Sequence, residues 1–161
     1  LIRPIRPEDE PLLVAFHTEL TEETVYSRYF EHLGLSARTA HERLTRVCFN
    51  DYDREIALVA EELNGAGNHS IVAVGRLSKD HALPTAEFAV LVADRWQRRG
   101  LGAELLRELV AVGSAEGLAR ISADILAGNT AMRRTAMSAG FAIEEELGDQ
   151  TVRAVMDLSE R

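Results

Sequence analysis

The chain has 161 residues, enough for one domain of ordinary size, and its 46% hydrophobic and 27% charged residues are the proportions of a globular protein with a core. Its 18 Lys and Arg against 26 Asp and Glu leave a formal net charge of -8, which argues against an extended phosphate-tracking surface, so nucleic acid is not an expected partner. The single Cys48 excludes an internal disulfide and a thiolate metal cluster.

No charged-then-apolar leader and no run of about 18 apolar residues appears, so the expectation is a cytoplasmic setting with no membrane partner. Leu1 stands where a Met would open a complete chain. Residues 1–161 are therefore expected to be a single domain excised from a longer multidomain protein.

In chain order, "LIRPIR" alternates as a short strand and meets Pro7, where a helix opens with Glu8, Asp9 and Glu10 at its positive end. Thr21 is the candidate N-cap of a second helix through "TVYSRYFEHL", although Thr24 stands where a full capping box needs Glu or Gln. Gly34 ends that helix, and Ser36 is read as the cap of a third through "ARTAHERLTRVCF". "REIALVAEEL", the turn "NGAGN" and "SIVAVGRLS" read as a hairpin. "AEFAVLVA" is apolar on both faces through its centre, like a buried middle strand. A helix over about 100–116, a strand over 119–126, a helix over 129–139 and two strands around "FAIEEE" and "TVRAVMDL" complete the chain. Strands interleaved with helices predict an α/β (α+β) fold with a mixed sheet.

The most informative stretch is "WQRRGLGAELL", residues 96–106, between the buried strand and an amphipathic helix. A helix N-terminus offers unpaired backbone N–H groups and a positive dipole. With Arg98 and Arg99 beside it, the turn could cradle a phosphate or pyrophosphate; alternatively Gly100 and Gly102 only shape a tight turn. No G-x-x-x-x-G-K-[ST] P-loop is present, and the third glycine and the strand-end acid of a dinucleotide fingerprint are missing.

"QRRGLG", Gln97 to Gly102, resembles the [QR]-x-x-G-x-[GA] motif of the GNAT superfamily of N-acetyltransferases. Asn129 followed by Gly140-Phe141 resembles that family's second helix-and-strand element. "IRPEDEPLL", "VYSRYF", "DYDREIALVA" and the series Asn129, Met132, Ala136 and Gly140-Phe141 are similar to the acetyltransferase domain of bacterial Pat-type protein lysine acetyltransferases. The resemblance implies a GNAT fold, a mixed and mostly antiparallel sheet of six to seven strands flanked by helices. It also implies acetyl-CoA as co-substrate, with no metal. Val90, Leu91 and Val92 would face the pantetheine, Gln97, Arg98, Arg99, Gly100, Leu101, Gly102 and Ala103 would wrap the pyrophosphate, and Asn129 and Arg133 would touch the cofactor further along. The implied protein substrate is an AMP-forming acyl-CoA synthetase, and a covalently linked regulatory domain is the implied companion in the full-length protein.

Acetylating a lysine requires a base, because an ammonium with pKa about 10.4 is no nucleophile until it loses a proton. Glu87, in "AEFAV", matches the position of the Pat-type catalytic glutamate, and partial burial there would make it a better proton acceptor; the alternative is a solvated strand-end carboxylate. Glu61, Glu62 and Asp124 are weaker candidates on neighbouring strands. Seven residues after Asn129, where many relatives carry a tyrosine that protonates the departing sulfur, stands Ala136. A thiolate, with pKa about 8.5, can leave without full protonation. A strand N–H near Leu91 or Val92 is the expected oxyanion donor.

Tyr26, Tyr29 and Phe30 are candidates for the acceptor side of the cleft, with core packing as the alternative. Asp51 and Asp53 are candidates for attracting a basic peptide around the target lysine, with a solvated loop as the alternative. Cys48, among Leu44, Val47 and Phe49, reads as a packing residue rather than an acyl carrier. His17, His32, His41, His69 and His81 show no ligand spacing. Two further functions stay open: acetylation of a small amine such as a polyamine or amino sugar, and acyl-CoA sensing without catalysis.

Overall fold

Pro4 ends a short first strand, Ile2–Pro4 (β1), and a strand with a proline lacks a ladder donor and belongs at a sheet edge. The computed structural model, which describes residues 1–29, 33–48, 53–145 and 150–159, places it there. Phe30, His32, Phe49 and Asp51 lie outside the described residues.

The predicted hairpin is Glu55–Leu63 (β2) and His69–Lys79 (β3), paired antiparallel from Glu55↔Ser78 to Leu63↔His69. The Asn64 side chain closes its turn by accepting the N–H groups of Ala66 at 3.0 Å and Asn68 at 3.1 Å. Thr85–Val92 (β4), Arg120–Leu126 (β5), Ala142–Glu145 (β6) and Thr151–Asp157 (β7) complete a seven-stranded sheet in the order β1-β2-β3-β4-β5-β7-β6. Every neighbouring pair is antiparallel except β4 and β5.

The first predicted helix resolves into a 3-10 turn over Pro7–Asp9 and the helix Glu10–Thr18 (α1). Asp9 does more than complement a dipole. Its buried carboxylate accepts the Arg6 N–H at 2.8 Å and both Arg3 terminal nitrogens at 2.8 Å, which fastens α1 to the edge strand. Burial alone would lift the Asp9 pKa, but these donors hold it below the usual carboxylate range.

Thr21 caps the second helix, Glu22–Tyr29 (α2), by accepting the Thr24 N–H at 3.2 Å. The single third helix capped at Ser36 is corrected to two helices, Leu35–Arg38 (α3) behind Gly34 and His41–Cys48 (α4). Buried Arg38 explains the break: its guanidinium donates to the carbonyls of Leu33 at 3.0 Å and His17 at 2.9 Å. Thr39 closes the short helix onto the Leu35 carbonyl.

Parallel strands need a crossover, and Leu101–Ala115 (α5) supplies the one from β4 to β5. Leu105, Leu106 and Leu109 are fully buried under it. It lies so close to β3 that a Cβ on Gly75 would sit 2.9 Å from Leu109 Cδ1, which is why glycine occupies that strand position. Thr130–Ser138 (α6) follows β5, with the Asn129 side chain capping it by accepting the Met132 N–H at 3.1 Å. Along β3 the side chains alternate. Gly75 and Leu77 face α5, while Val74 and Arg76 face α1, α2 and α4, so each face of the sheet carries its own apolar layer.

Candidate active site

β4 and β5 are paired only over Thr85↔Arg120, Ala86↔Ile121 and Glu87↔Ser122. Beyond Glu87 they part, although β4 runs on to Val92 and β5 to Leu126. The outer neighbours hold them apart, since β3 stays paired with β4 through Val92 and β7 with β5 through Leu126. The result is a cleft of about 450 Å³ lined on its two walls by Phe88–Val92 and by Ala123, Asp124 and Ile125.

The register decides which backbone groups face this cleft. Ala93 donates its N–H to the Val72 carbonyl at 2.8 Å, so strand alternation turns the amides of Leu91 and Ala89 toward β3 and those of Val92 and Val90 toward the gap. Of the two amides named as oxyanion donors, Leu91 therefore belongs to the β3 ladder and Val92 opens on the cleft. The Val92 carbonyl on the same edge accepts the Gln97 side-chain amide at 3.0 Å.

At the end of the cleft the chain makes an uncommon turn. Arg98 has φ 64° and Gly100 has φ 81°, both left-handed, and a β-carbon at Gly100 would meet open space. A non-glycine residue there costs about 1–2 kcal/mol, and backbone strain of this kind collects at ligand clamps. The first α5 bond is Glu104 N–H to Gly100 O at 3.1 Å. The N–H groups of Leu101, Gly102 and Ala103 thus precede the helix ladder, and no side chain caps them. They form a concave set of donors at a positive helix end, suited to a phosphate group.

Val90, Leu91, Val92, Gln97, Arg98, Gly100, Gly102 and Asn129 all line this cleft. Other predicted residues do not. Leu101 and Ala103 turn their side chains into α5 packing, and Arg99 stacks 5.2 Å from the centre of the Trp96 ring, which itself lines the cleft. Arg133 donates to the Ala127 carbonyl at 2.9 Å and pairs with Glu145. Ala136 is fully buried on the core side of α6; Thr135, one residue earlier, is the α6 hydroxyl that lines the cleft.

Glu87 lies at the fork where β4 and β5 part, but the expected partial burial is corrected: its side chain is 66% exposed. It sits past the cover of α1–α4, on a face where its neighbours are polar. Arg153 Nη2 is 3.6 Å from Glu87 Oε1, and the same guanidinium donates to Asp124 Oδ1 and Ser122 Oγ, each at 2.9 Å. Asp124 is thereby committed to Arg153. Glu61 is committed elsewhere, bonded to Arg3 and paired with His69, and the Arg3 bond holds its pKa low. Glu62 accepts Arg95 at 2.9 Å.

Tyr29 is half-buried in a smaller neighbouring cavity, whereas Tyr26 is exposed and lines neither cavity. Asp53 is exposed, and Asp51 lies outside the described residues. Cys48 is 2% exposed, and burial pushes its thiol up to about 11, with Asp9 and Glu10 adding to the shift; it packs in the core and carries no thiolate near neutral pH. Missed by sequence reasoning were the cleft side chains Thr24, Arg28, Asp94 and Thr135. Only Thr24 carried a signal, as the residue three after the Thr21 cap.

Residues 1–142 match the family model described as an acetyltransferase (GNAT) domain. The chain is 30% identical over 151 residues to acetyltransferase PA5475 of Pseudomonas aeruginosa, covering 94% of this chain and 79% of that one. It is 30% identical over 148 residues to acetyltransferase Pat of Mycolicibacterium smegmatis, covering 91% of this chain but only 43% of the Pat chain. The GNAT domain of S. lividans PAT superposes with a TM-score of 0.83 at 27% identity, covering 97% of this chain and 89% of that one.

Proposed function

Because the chain belongs to the GNAT acetyltransferase family, we propose that it transfers the acetyl group of acetyl-CoA to the ε-amine of a protein lysine, in the active site of an AMP-forming acyl-CoA synthetase. The observation that carries the transfer is the gap between β4 and β5, which ends at the uncapped N–H groups of α5. A pyrophosphate fits that turn, and a pantetheine chain fits along the free edge of Phe88–Val92, where amides already point outward. The lysine-directed part rests on the likeness to the two Pat proteins.

In this reading Glu87 receives a proton from the incoming ammonium, directly or through water, at the fork where both strands begin to part. Arg153 holds its carboxylate in place. The amine nitrogen then bonds to the thioester carbon, the C–S bond breaks, the nitrogen gives up its second proton to solvent, and CoA leaves as a thiolate that takes its proton from solvent. Val90 N–H, the outward amide of β4 nearest the fork, donates to the carbonyl oxygen as charge develops on it, while Val92, five residues from Glu87 along the strand, lies nearer the pyrophosphate end.

The test is mass spectrometry of an AMP-forming acetyl-CoA synthetase incubated with acetyl-CoA and the protein, wild type beside Glu87→Gln. One acetylated lysine with wild type, and a rate reduced about a hundredfold or more in the variant with acetyl-CoA binding retained, is the expected result. No modification despite acetyl-CoA binding would leave a small amine as acceptor, or a sensor without chemistry.

A further inference from the structure

Behind the cleft, on the α1–α4 face of the sheet, lies a second cavity of about 60 Å³ that gathers cations in a chain of net charge -8. Arg28 lies in the last turn of α2, Arg43 lies on α4, Arg76 is on β3, and His17 is on α1. Arg28 and Arg43 both lie over the ring of Tyr29, at 4.7 and 5.2 Å from its centre. Arg76 reaches one carboxylate, Glu55, through Nη1 at a long 3.4 Å, and its Nη2 is buried without a hydrogen-bond partner.

That arrangement is unfavourable in the free protein. A buried donor without an acceptor costs about 1–3 kcal/mol, and three guanidiniums here answer to one half-exposed carboxylate among the described residues. Burial, reinforced by the charges of Arg76 and Arg43, pushes the Arg28 pKa below its ordinary value. An anion in the cavity would supply the missing acceptor and relieve the repulsion. The volume suits one small planar group, being about that of two water molecules, and a guanidinium meets a carboxylate in a matched two-bond fork.

The cavity also shares Arg28, Ala89 and Leu91 with the main cleft, so a group seated in it can belong to the acceptor molecule. Ala89 is two residues beyond Glu87 on the same strand, hence on the same face and about 7 Å away. We propose that Arg28, Arg43 and Arg76 bind a carboxylate of the acceptor, so that the enzyme prefers a lysine flanked by an acidic residue and discriminates against polycationic amines. The proposal rests on the lysine-acceptor reading above for the identity of the molecule, but the anion site stands on the cavity alone.

Two measurements separate these. The first compares kcat/KM for lysine peptides that differ only in flanking residues, Asp and Glu against Asn and Gln against Arg and Lys. Acidic flanks should win over basic ones by about tenfold or more, mainly through KM. Arg43→Gln and Arg76→Gln should erase the preference, and Arg43→Lys should restore part of it. The second follows Tm with sodium glutarate or inorganic phosphate, at ionic strength matched with sodium chloride. Glutarate should raise Tm in wild type and leave folded Arg43→Gln unchanged, a variant on a half-buried helix position that keeps the protein testable if Arg76→Gln fails to fold. No Tm rise, or an equal rise in the variant, overturns the site. A larger rise with phosphate overturns the carboxylate assignment. A glutarate effect lost in the variant, with no peptide acetylated, upholds the site and removes the protein-lysine reading.

Discussion

The carboxylate of Asp94 accepts the backbone N–H of Thr21 at 2.9 Å across 73 positions of sequence. Asp94 also accepts the hydroxyl of Thr24 and, at 3.0 Å, the Gln97 side-chain amide. One side chain thus ties the start of α2, a wall of the cleft, to the turn that leads into α5.

Asp94→Ala should therefore loosen α2 without touching α5. The expected loss is about 1–2 kcal/mol of stability, the size of a lost helix cap. Amide hydrogen exchange checks it: Thr24–Tyr29 should exchange faster, while Leu105–Val110 keeps its protection.

His17 makes stability depend on pH. Burial, with the charges of Arg38, Arg43 and Arg28, lowers its pKa from 6.5 to about 4. The unfolded chain then binds a proton near pH 6.5 that the native protein refuses until about pH 4, so the full stability present above 6.5 is lost progressively as pH falls toward 4. The scale is on the order of 3 kcal/mol. Urea unfolding at pH 7 and pH 4.5 should show a smaller acid loss in His17→Gln than in wild type, after which Asp9 and Glu61, with their lowered pKa values, carry the remainder at still lower pH.

Gly75→Ala would place a methyl group 2.9 Å from Leu109 and about as close to Leu105. Overpacking of that kind costs about 1–3 kcal/mol. Chemical denaturation should report that loss, and Gly34→Ala, with nothing within 4 Å of the new β-carbon and an ordinary φ, should cost far less.

Gly100 and Arg98 should respond in opposite senses. Gly100→Ala forces a side chain into φ 81° and should destabilise by about 1–2 kcal/mol, while Arg98→Gly releases strain at φ 64° and should be neutral or slightly stabilising. On the proposed function both weaken acetyl-CoA binding, the first by disturbing the donors and the second by removing a guanidinium. Calorimetry beside thermal melting separates stability from affinity.

Much of this was legible in the chain. Periodicity located the hairpin, the middle strand and the two C-terminal helices, because each is decided by a local pattern of burial. Gly100 announced the turn through a residue type with narrow conformational uses, whereas Asn129 was singled out only by resemblance, as a cofactor contact, and its role as the α6 cap emerges from the structure. The gap itself was not legible, since it depends on where β4 and β5 stop pairing, a register between segments joined by a whole helix. Nor was the arginine cavity, whose lining comes from five separate elements. Glu87 was found by resemblance, but its exposure follows from where the helices end and not from "AEFAV" itself. Arg38 was missed for a related reason, as its burial is a tertiary event that split a locally plausible helix.

The three residue pairs between β4 and β5 are also the narrowest seam in the interior of the sheet; only the edge strand β1 is held to its neighbour by as few. On one side stand β1 to β4, on the other β5 to β7, and past Glu87 the two halves are bridged by α5 rather than by ladder hydrogen bonds. A pantetheine chain, with its own amides, would act there as a temporary extra strand, lengthening the seam with every amide it satisfies. Substrate binding and completion of the fold would then be one event, and the enzyme would be stiffest at the moment it holds the acetyl group and most yielding after CoA departs.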